Sequence, residues 1–178
     1  MKIERVIVSD YQTNCYIVSI DDKCLIIDPG DEYQKILSIV AKKEVVAILI
    51  THRHGDHIGA LNDILNIYNV PVYEYKNLEE KEYIIDNFVF SVIFTKGHTE
   101  DSVTYYFKNE QLMFTGDFLF ENSIGRTDLA TGNYNEMLES IERIKTYADE
   151  IIVYPGHGNM TKLGLEKTNN YWFDSVNQ

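Results

Sequence analysis

Three histidines and an aspartate crowd one short segment, Thr51-His52-Arg53-His54-Gly55-Asp56-His57. The chain has only 5 histidines in 178 residues, and the other two also sit in glycine-flanked turns, Gly97-His98-Thr99 and Pro155-Gly156-His157-Gly158. Asp117 ends a similar turn, Thr115-Gly116-Asp117. Neutral imidazole nitrogen and carboxylate oxygen are the donors that zinc, iron and manganese take. Seven candidates (His52, His54, Asp56, His57, His98, Asp117 and His157) exceed what one tetrahedral ion needs. They suit two ions with three private ligands each and one carboxylate between them. Two ions about 3.5–4 Å apart share a water and bring its pKa toward about 7, which provides a nucleophile at neutral pH. A lone histidine would be read as a satisfied core residue, and Asp117 alone as a turn aspartate. The density of donors between positions 52 and 57 argues for metal instead.

Such donors must be brought together by elements that end where they begin. Alternation and apolar runs predict strands over Lys2–Ser9, Asn14–Ile20, Lys23–Ile27, Glu44–Ile50, Val70–Tyr75, Phe88–Thr95, Val103–Phe107, Gln111–Thr115 and Glu150–Tyr154. Helical spacing predicts helices at Tyr33–Val40, Ile58–Tyr68 and Tyr134–Ala148, the last capped by Asn133, with a short helix after Lys162 carrying Trp172 and Phe173 to the end. Asp28-Pro29-Gly30 reads as a turn closing the third strand. Each histidine turn and the Asp117 turn follows a predicted strand. Strands interspersed with a few helices give an α/β or α+β sandwich, and periodicity alone does not choose between them.

Composition narrows the partners. The formal net charge is −12 and the pI about 4.7, with 44% hydrophobic and 25% charged residues. That is an ordinary soluble globular composition. The absence of a basic face argues against a nucleic-acid partner and against an anionic membrane surface. The N-terminus lacks the apolar stretch of a secretory signal, and no apolar run approaches the roughly 20 residues of a spanning helix. Cys15 and Cys24 lie in apolar strands and are expected to be buried and reduced. These readings predict a single domain over 1–178, a small-molecule substrate, a cytoplasmic location, and a monomer or homodimer.

The segment Thr51-His52-Arg53-His54-Gly55-Asp56-His57 matches the T-H-x-H-x-D-H signature of the metallo-β-lactamase superfamily, and the turns of His98, Asp117 and His157 match its later motifs in order. The chain most resembles small glyoxalase II-like hydrolases, through Phe114–Phe120, Gly125-Arg126-Thr127-Asp128-Leu129 and Gly132-Asn133 as well. The resemblance spans nearly the whole chain. It implies a four-layer αββα sandwich with metals at one edge between two sheets. His52, His54 and His98 would bind the first ion, Asp56, His57 and His157 the second, and Asp117 both. It implies two divalent ions, zinc first, with iron or manganese as alternatives. It also implies hydrolysis of a thioester, with Asp56 and Asp117 as the catalytic carboxylates.

The same fold includes mononuclear-iron persulfide dioxygenases, which would use only His52, His98 and Asp117, and also lactonases and β-lactamases. Arg126 and Lys162 are candidate substrate contacts; for Arg126 the competing expectation, a salt bridge to Asp128, is the stronger. Arg53, between two ligands, is expected to point away. Glu100 and Asp101 stand where the family often has Pro and Gly, and they are expected to make the site more negative. The short stretch after His157 is not expected to supply the glutathione-binding cations of the helical domain found in full-length glyoxalase II.

Overall fold

The computed structural model describes residues 1–174. Five strands form one sheet in the order β1-β2-β3-β4-β5: β1 (Lys2–Val8), β2 (Thr13–Ile20), β3 (Lys23–Ile27), β4 (Glu44–Leu49) and β5 (Val72–Tyr73). Strands β1, β2 and β3 pair antiparallel, whereas β3, β4 and β5 run parallel. The second sheet has the order β13-β12-β9-β8-β7-β6. Its strands are β6 (Glu82–Ile85), β7 (Phe88–Phe94), β8 (Val103–Phe107), β9 (Leu112–Gly116), β12 (Ile152–Pro155) and β13 (Thr161–Lys162). A two-strand hairpin, β10 (Leu119–Phe120) and β11 (Ser123–Ile124), follows β9.

The inner strands, such as β2, β3 and β9, are buried on both faces because their side chains alternate between two cores. Tyr16, Val18, Leu25, Ile27, Ala47 and Leu49 of the first sheet meet Phe88, Phe90, Val92, Tyr105, Phe107 and Phe114 of the second. On the outer face of the first sheet, Cys15, Ile17, Cys24 and Ile26 pack under helices α1 (Tyr33–Val40) and α3 (Leu61–Ile67). On the outer face of the second, Ile93, Met113 and Val153 pack under α4 (Tyr134–Lys145). Asn133 caps α4, accepting from the amides of Asn135 and Glu136. The order helix, sheet, sheet, helix is the four-layer αββα sandwich expected from the resemblance.

Several boundaries differ from the sequence reading. The helix expected over Ile58–Tyr68 divides into α2 (Gly55–Ile58) and α3, because the Ala60 amide donates to the Pro29 carbonyl, not within a continuous helix. The strand expected at Val70–Tyr75 shrinks to β5, followed by a single 3-10 turn at Tyr75–Asn77. β6 and the β10–β11 hairpin were not expected. The helix after Lys162 divides into α5 (Leu163–Asn169) and α6 (Tyr171–Asp174), and its expected continuation beyond 174 lies outside the described residues. Cys15 and Cys24 are free and buried. Among the described residues no helix is long and apolar enough to cross a membrane.

Candidate metal centre

The seven predicted donors converge at one end of the sandwich. His52 and His54 lie in the loop leaving β4, and Asp56 and His57 in α2 just after it. His98 follows β7, Asp117 follows β9 and His157 follows β12. The segments that follow the C-terminal ends of the parallel strands β4, β9 and β12 thus carry six of them, four in loops and two in α2.

They form two groups. In the first, His52 Nε2 and His98 Nε2 each lie 3.0 Å from His54 Nδ1. Asp117 Oδ2 lies 3.5 Å from His98 Nε2 and 3.9 Å from His52 Nε2. In the second, Asp56 Oδ2 lies 3.2 Å from His157 Nε2 and 3.6 Å from His57 Nε2. Asp117 also faces this group, with Oδ1 3.3 Å from His57 Nε2 and Oδ2 3.4 Å from His157 Nε2. Asp117 therefore stands between the two sets.

In four of the five histidines the other ring nitrogen is fixed from behind. His57 Nδ1 lies 2.8 Å from Asp28 Oδ2, His98 Nδ1 2.8 Å from the Arg126 carbonyl, and His157 Nδ1 3.1 Å from the Tyr11 carbonyl. His52 Nδ1 lies 3.2 Å from Thr51 Oγ1. Thr13 donates to Asp56 Oδ2 at 2.8 Å. Such partners set which ring nitrogen is free to ligate. Asp28, Thr51 and Thr13 were missed by sequence reasoning. Asp28 looked like turn chemistry, and in the chain it does turn, with a left-handed φ of 51°. Its carboxylate also accepts from the Thr51 amide (2.8 Å) and hydroxyl (2.6 Å). Asn14 holds the His157 loop, donating to the Pro155 and Gly158 carbonyls. Gly156 is required there by close approach: a Cβ would lie 2.3 Å from Asp117 Oδ1 and 2.6 Å from His57 Cε1.

The electrostatics favour cations. Burial lowers the pKa of His52 and of His98, which keeps them neutral and able to ligate. Burial also opposes protonation of His57, but Asp28 and Asp117 outweigh it and raise its pKa to about 10. Burial likewise opposes a charge on His157, and Asp117 and Asp56 raise its pKa to about 9. For Asp117 burial favours the neutral acid, and His157 and His57 overcome it, so its pKa is depressed. Carboxylates that draw protons onto neighbouring imidazoles will hold divalent cations in the protons' place.

The donors also pass a direct test of fit. A tetrahedral ion with nitrogen ligands at about 2.0–2.1 Å spaces them roughly 3.3 Å apart, close to the 3.0 Å separations in the first group. In the second, His57 Nε2 and Asp117 Oδ1 are buried without a hydrogen-bond partner. Unpaired buried polar atoms are costly, and a shared cation would satisfy both.

Comparison with known proteins agrees. Residues 8–83 and 73–157 match the model of the metallo-beta-lactamase superfamily. The chain belongs to the metallo-beta-lactamase superfamily. As a member it is a metal-dependent hydrolase. It is 36% identical to the probable metallo-hydrolase YqgX of Bacillus subtilis, over 96% of each chain. It is 28% identical to the hydroxyacylglutathione hydrolase GloC of Haemophilus influenzae, over 98% of this chain and 99% of that one. Among solved structures it is similar to the BLEG-1 B3 metallo-beta-lactamase (TM-score 0.93, 31% identity, 97% and 99% of the two chains). It is similar as well to TTHA1623 in a di-iron-bound form (TM-score 0.88, 30% identity, 95% and 99%). ETHE1 from Myxococcus xanthus is a further neighbour (TM-score 0.89, 29% identity, 96% and 84%).

In this superfamily member the donors open on two cavities that flank His54. One, of about 650 Å³, is lined by Ser9, Tyr11, Asp31, Asp56 and Leu129 among others. The other, of about 350 Å³, is lined by Arg53, Thr99, Glu100, Asp101, Ala130 and Thr131. Arg126 reaches the centre through its main chain only: its guanidinium pairs with both oxygens of Asp128, at 2.7 and 2.8 Å. Lys162 is exposed on β13, opposite Ile152. Neither side chain is brought together with the seven donors. Arg53 points away from them, onto buried Glu74.

Proposed function

We propose that the protein hydrolyses a thioester of a small molecule at a two-ion centre. His52, His54 and His98 hold one ion, Asp56, His57 and His157 the other, and Asp117 serves both. The observation that carries this reading is Asp117, whose oxygens face both donor sets at 3.3–3.9 Å. Two divalent ions bound there would acidify a water and polarise a carbonyl. The chain's own residues do the rest. Asp28, the Thr51 hydroxyl and the carbonyls of Arg126 and Tyr11 hold the imidazoles in place, so little reorganisation is needed during reaction. Asp56 and Asp117 are the carboxylates within reach of a proton released at the centre, and Thr13 orients Asp56.

Four of the five histidines have their second ring nitrogen engaged and are poorly placed to act as general acids. A thiolate, with a pKa near 8.5, leaves without one; an amide nitrogen does not. This supports a thioester over a β-lactam. The names of relatives such as hydroxyacylglutathione hydrolase support the same class. The continuous core between the sheets supports one domain over 1–178. The two free cysteines fit a reducing compartment, the cytoplasm.

Elemental analysis of the purified protein, run beside a thioester assay and a persulfide assay with oxygen uptake, tests the reading. Two ions per chain, zinc foremost, and thiol release are expected. One iron per chain with oxygen consumption would overturn it in favour of a persulfide dioxygenase using His52, His98 and Asp117.

A further inference from the structure

Packing does little to hold the loop that carries His157. The side chain is 28% exposed, against 5% or less for His52, His57 and His98. Glycine stands on each side of it, and Gly158 takes a left-handed φ of 75°. Glycine restrains a backbone least. The loop also borders a cleft of about 500 Å³, lined by Ile3, Arg5, Tyr16, Tyr154, Asn159 and Met160 and by none of the seven donors. Directed hydrogen bonds hold it instead. Apart from the Gly156 amide, which donates to the Gly116 carbonyl of its own sheet at 2.8 Å, they cross from β1 and β2 of the first sheet. The Asn14 amide donates to the Gly156 carbonyl at 2.7 Å. The Asn14 side chain donates to the Pro155 and Gly158 carbonyls, each at 3.0 Å. Its NH2 has two hydrogens, and both go to carbonyls that bracket His157. Tyr16 adds a second donor to the Pro155 carbonyl at 2.6 Å, and Arg5 a second to the Gly158 carbonyl at 2.8 Å. Asn14 and Tyr16 are buried, at 1% and 3% exposure.

Resting on the two-ion reading, we propose that Asn14 is the positioning residue of His157, braced by Tyr16 and Arg5, and that it sets how tightly the second ion is held without setting the affinity for the first. None of these bonds reaches His52, His54 or His98. They act on the backbone on both sides of His157, so they fix where its ring stands. An imidazole already held where an ion needs it leaves no loop to be ordered on binding. Without the clamp the two glycines and the neighbouring cleft would let the ring drift, and the second donor set would keep only Asp56 and His57 beside Asp117.

The test titrates zinc calorimetrically into the chelated full-length protein and reads the Kd of each ion separately. Asn14→Ala should weaken the second ion about 10- to 100-fold and leave the first within about twofold. Tyr16→Phe and Arg5→Met each remove one of two donors from a carbonyl, and each should weaken the second ion about two- to tenfold. Tyr16→Phe keeps its buried ring, so it decides the matter if Asn14→Ala does not fold. Added to His157→Ala, where the ring is gone, Asn14→Ala should weaken the residual second-ion binding at high zinc no further, whereas a general loosening of the fold would show its full effect there. Loss of both affinities by the same factor, an unchanged second affinity in every variant that folds, or full additivity with His157→Ala overturns the inference and leaves the two-ion centre standing. A single ion bound by the wild type overturns the two-ion reading, and the inference with it.

Discussion

Asp28 offers the sharpest test of how the centre is held. Asp28→Asn keeps the shape of the side chain, and asparagine tolerates the left-handed φ of 51° as well as aspartate does, so the backbone is undisturbed. What changes is hydrogen bonding. Oδ2 takes the Thr51 hydroxyl at 2.6 Å and faces His57 Nδ1 at 2.8 Å, and Oδ1 takes the Thr51 amide at 2.8 Å. An amide has one acceptor oxygen for these donors, and its NH2 must face at least one of them in a site only 2% exposed. An unsatisfied buried donor costs about 1–3 kcal/mol, and the lost charge assistance adds to it, for a total of about 3 kcal/mol. In a domain of this size that lowers Tm by about 6–12 °C. The assay is urea unfolding of the chelated protein, which isolates folding from metal. A metal titration of the same variant should show the ion held by His57 bound about 10- to 100-fold more weakly, since the imidazole loses its orienting carboxylate. Stability within about 0.5 kcal/mol of wild type together with undiminished affinity would refute the reasoning.

Asp117→Ala should lose activity and both ions together, whereas His57→Ala and His157→Ala, each leaving the first donor set whole, should lose activity and retain one ion of two by elemental analysis. Gly156→Ala should cost more than about 2 kcal/mol in denaturant unfolding, because its Cβ would press on Asp117 and His57. Gly55→Ala, with nothing within 4 Å of the new carbon, should stay within about 0.5 kcal/mol of wild type. Zinc at a hundred times its Kd should stabilise the chelated protein by about 2.7 kcal/mol in a thermal melt, and excess chelator should reverse it. Arg126→Ala should change stability by less than about 1 kcal/mol and leave metal content intact, because its exposed ion pair is weak and His98 uses only the main-chain carbonyl.

The donors were legible because metal chemistry needs particular residue types and the chain concentrates them: all five histidines fall in the centre. The four layers followed once the motif order was matched, and the strands buried on both faces, such as β2 and β9, stood out as apolar runs. Other features carry no local signal. Asp28 acts on Thr51 and His57, which are 23 and 29 positions away. Thr13 reaches Asp56 across 43 positions. β6 is four residues long with Ile84 71% exposed, so its outward side chain breaks the inside-outside rule. The strands of the β10–β11 hairpin have two residues each, too few for any period to appear. The loop between α2 and α3 arises from the distant Pro29 carbonyl, which no helical spacing could reveal.

The two sheets do not contribute separate donor sets. His52 and His54, from the first sheet, share a group with His98 and Asp117 from the second; Asp56 and His57, from the first, share one with His157 from the second. Each ion would therefore rivet one sheet to the other across the mouth of the sandwich. Pulling the sheets apart would require both rivets to break, which slows unfolding more than it speeds folding if the donors assemble late. The loaded protein is then long-lived against proteases while the starved one is not. Its abundance in a cell would follow metal supply as well as synthesis, so the centre that performs the chemistry would also set how long the molecule survives.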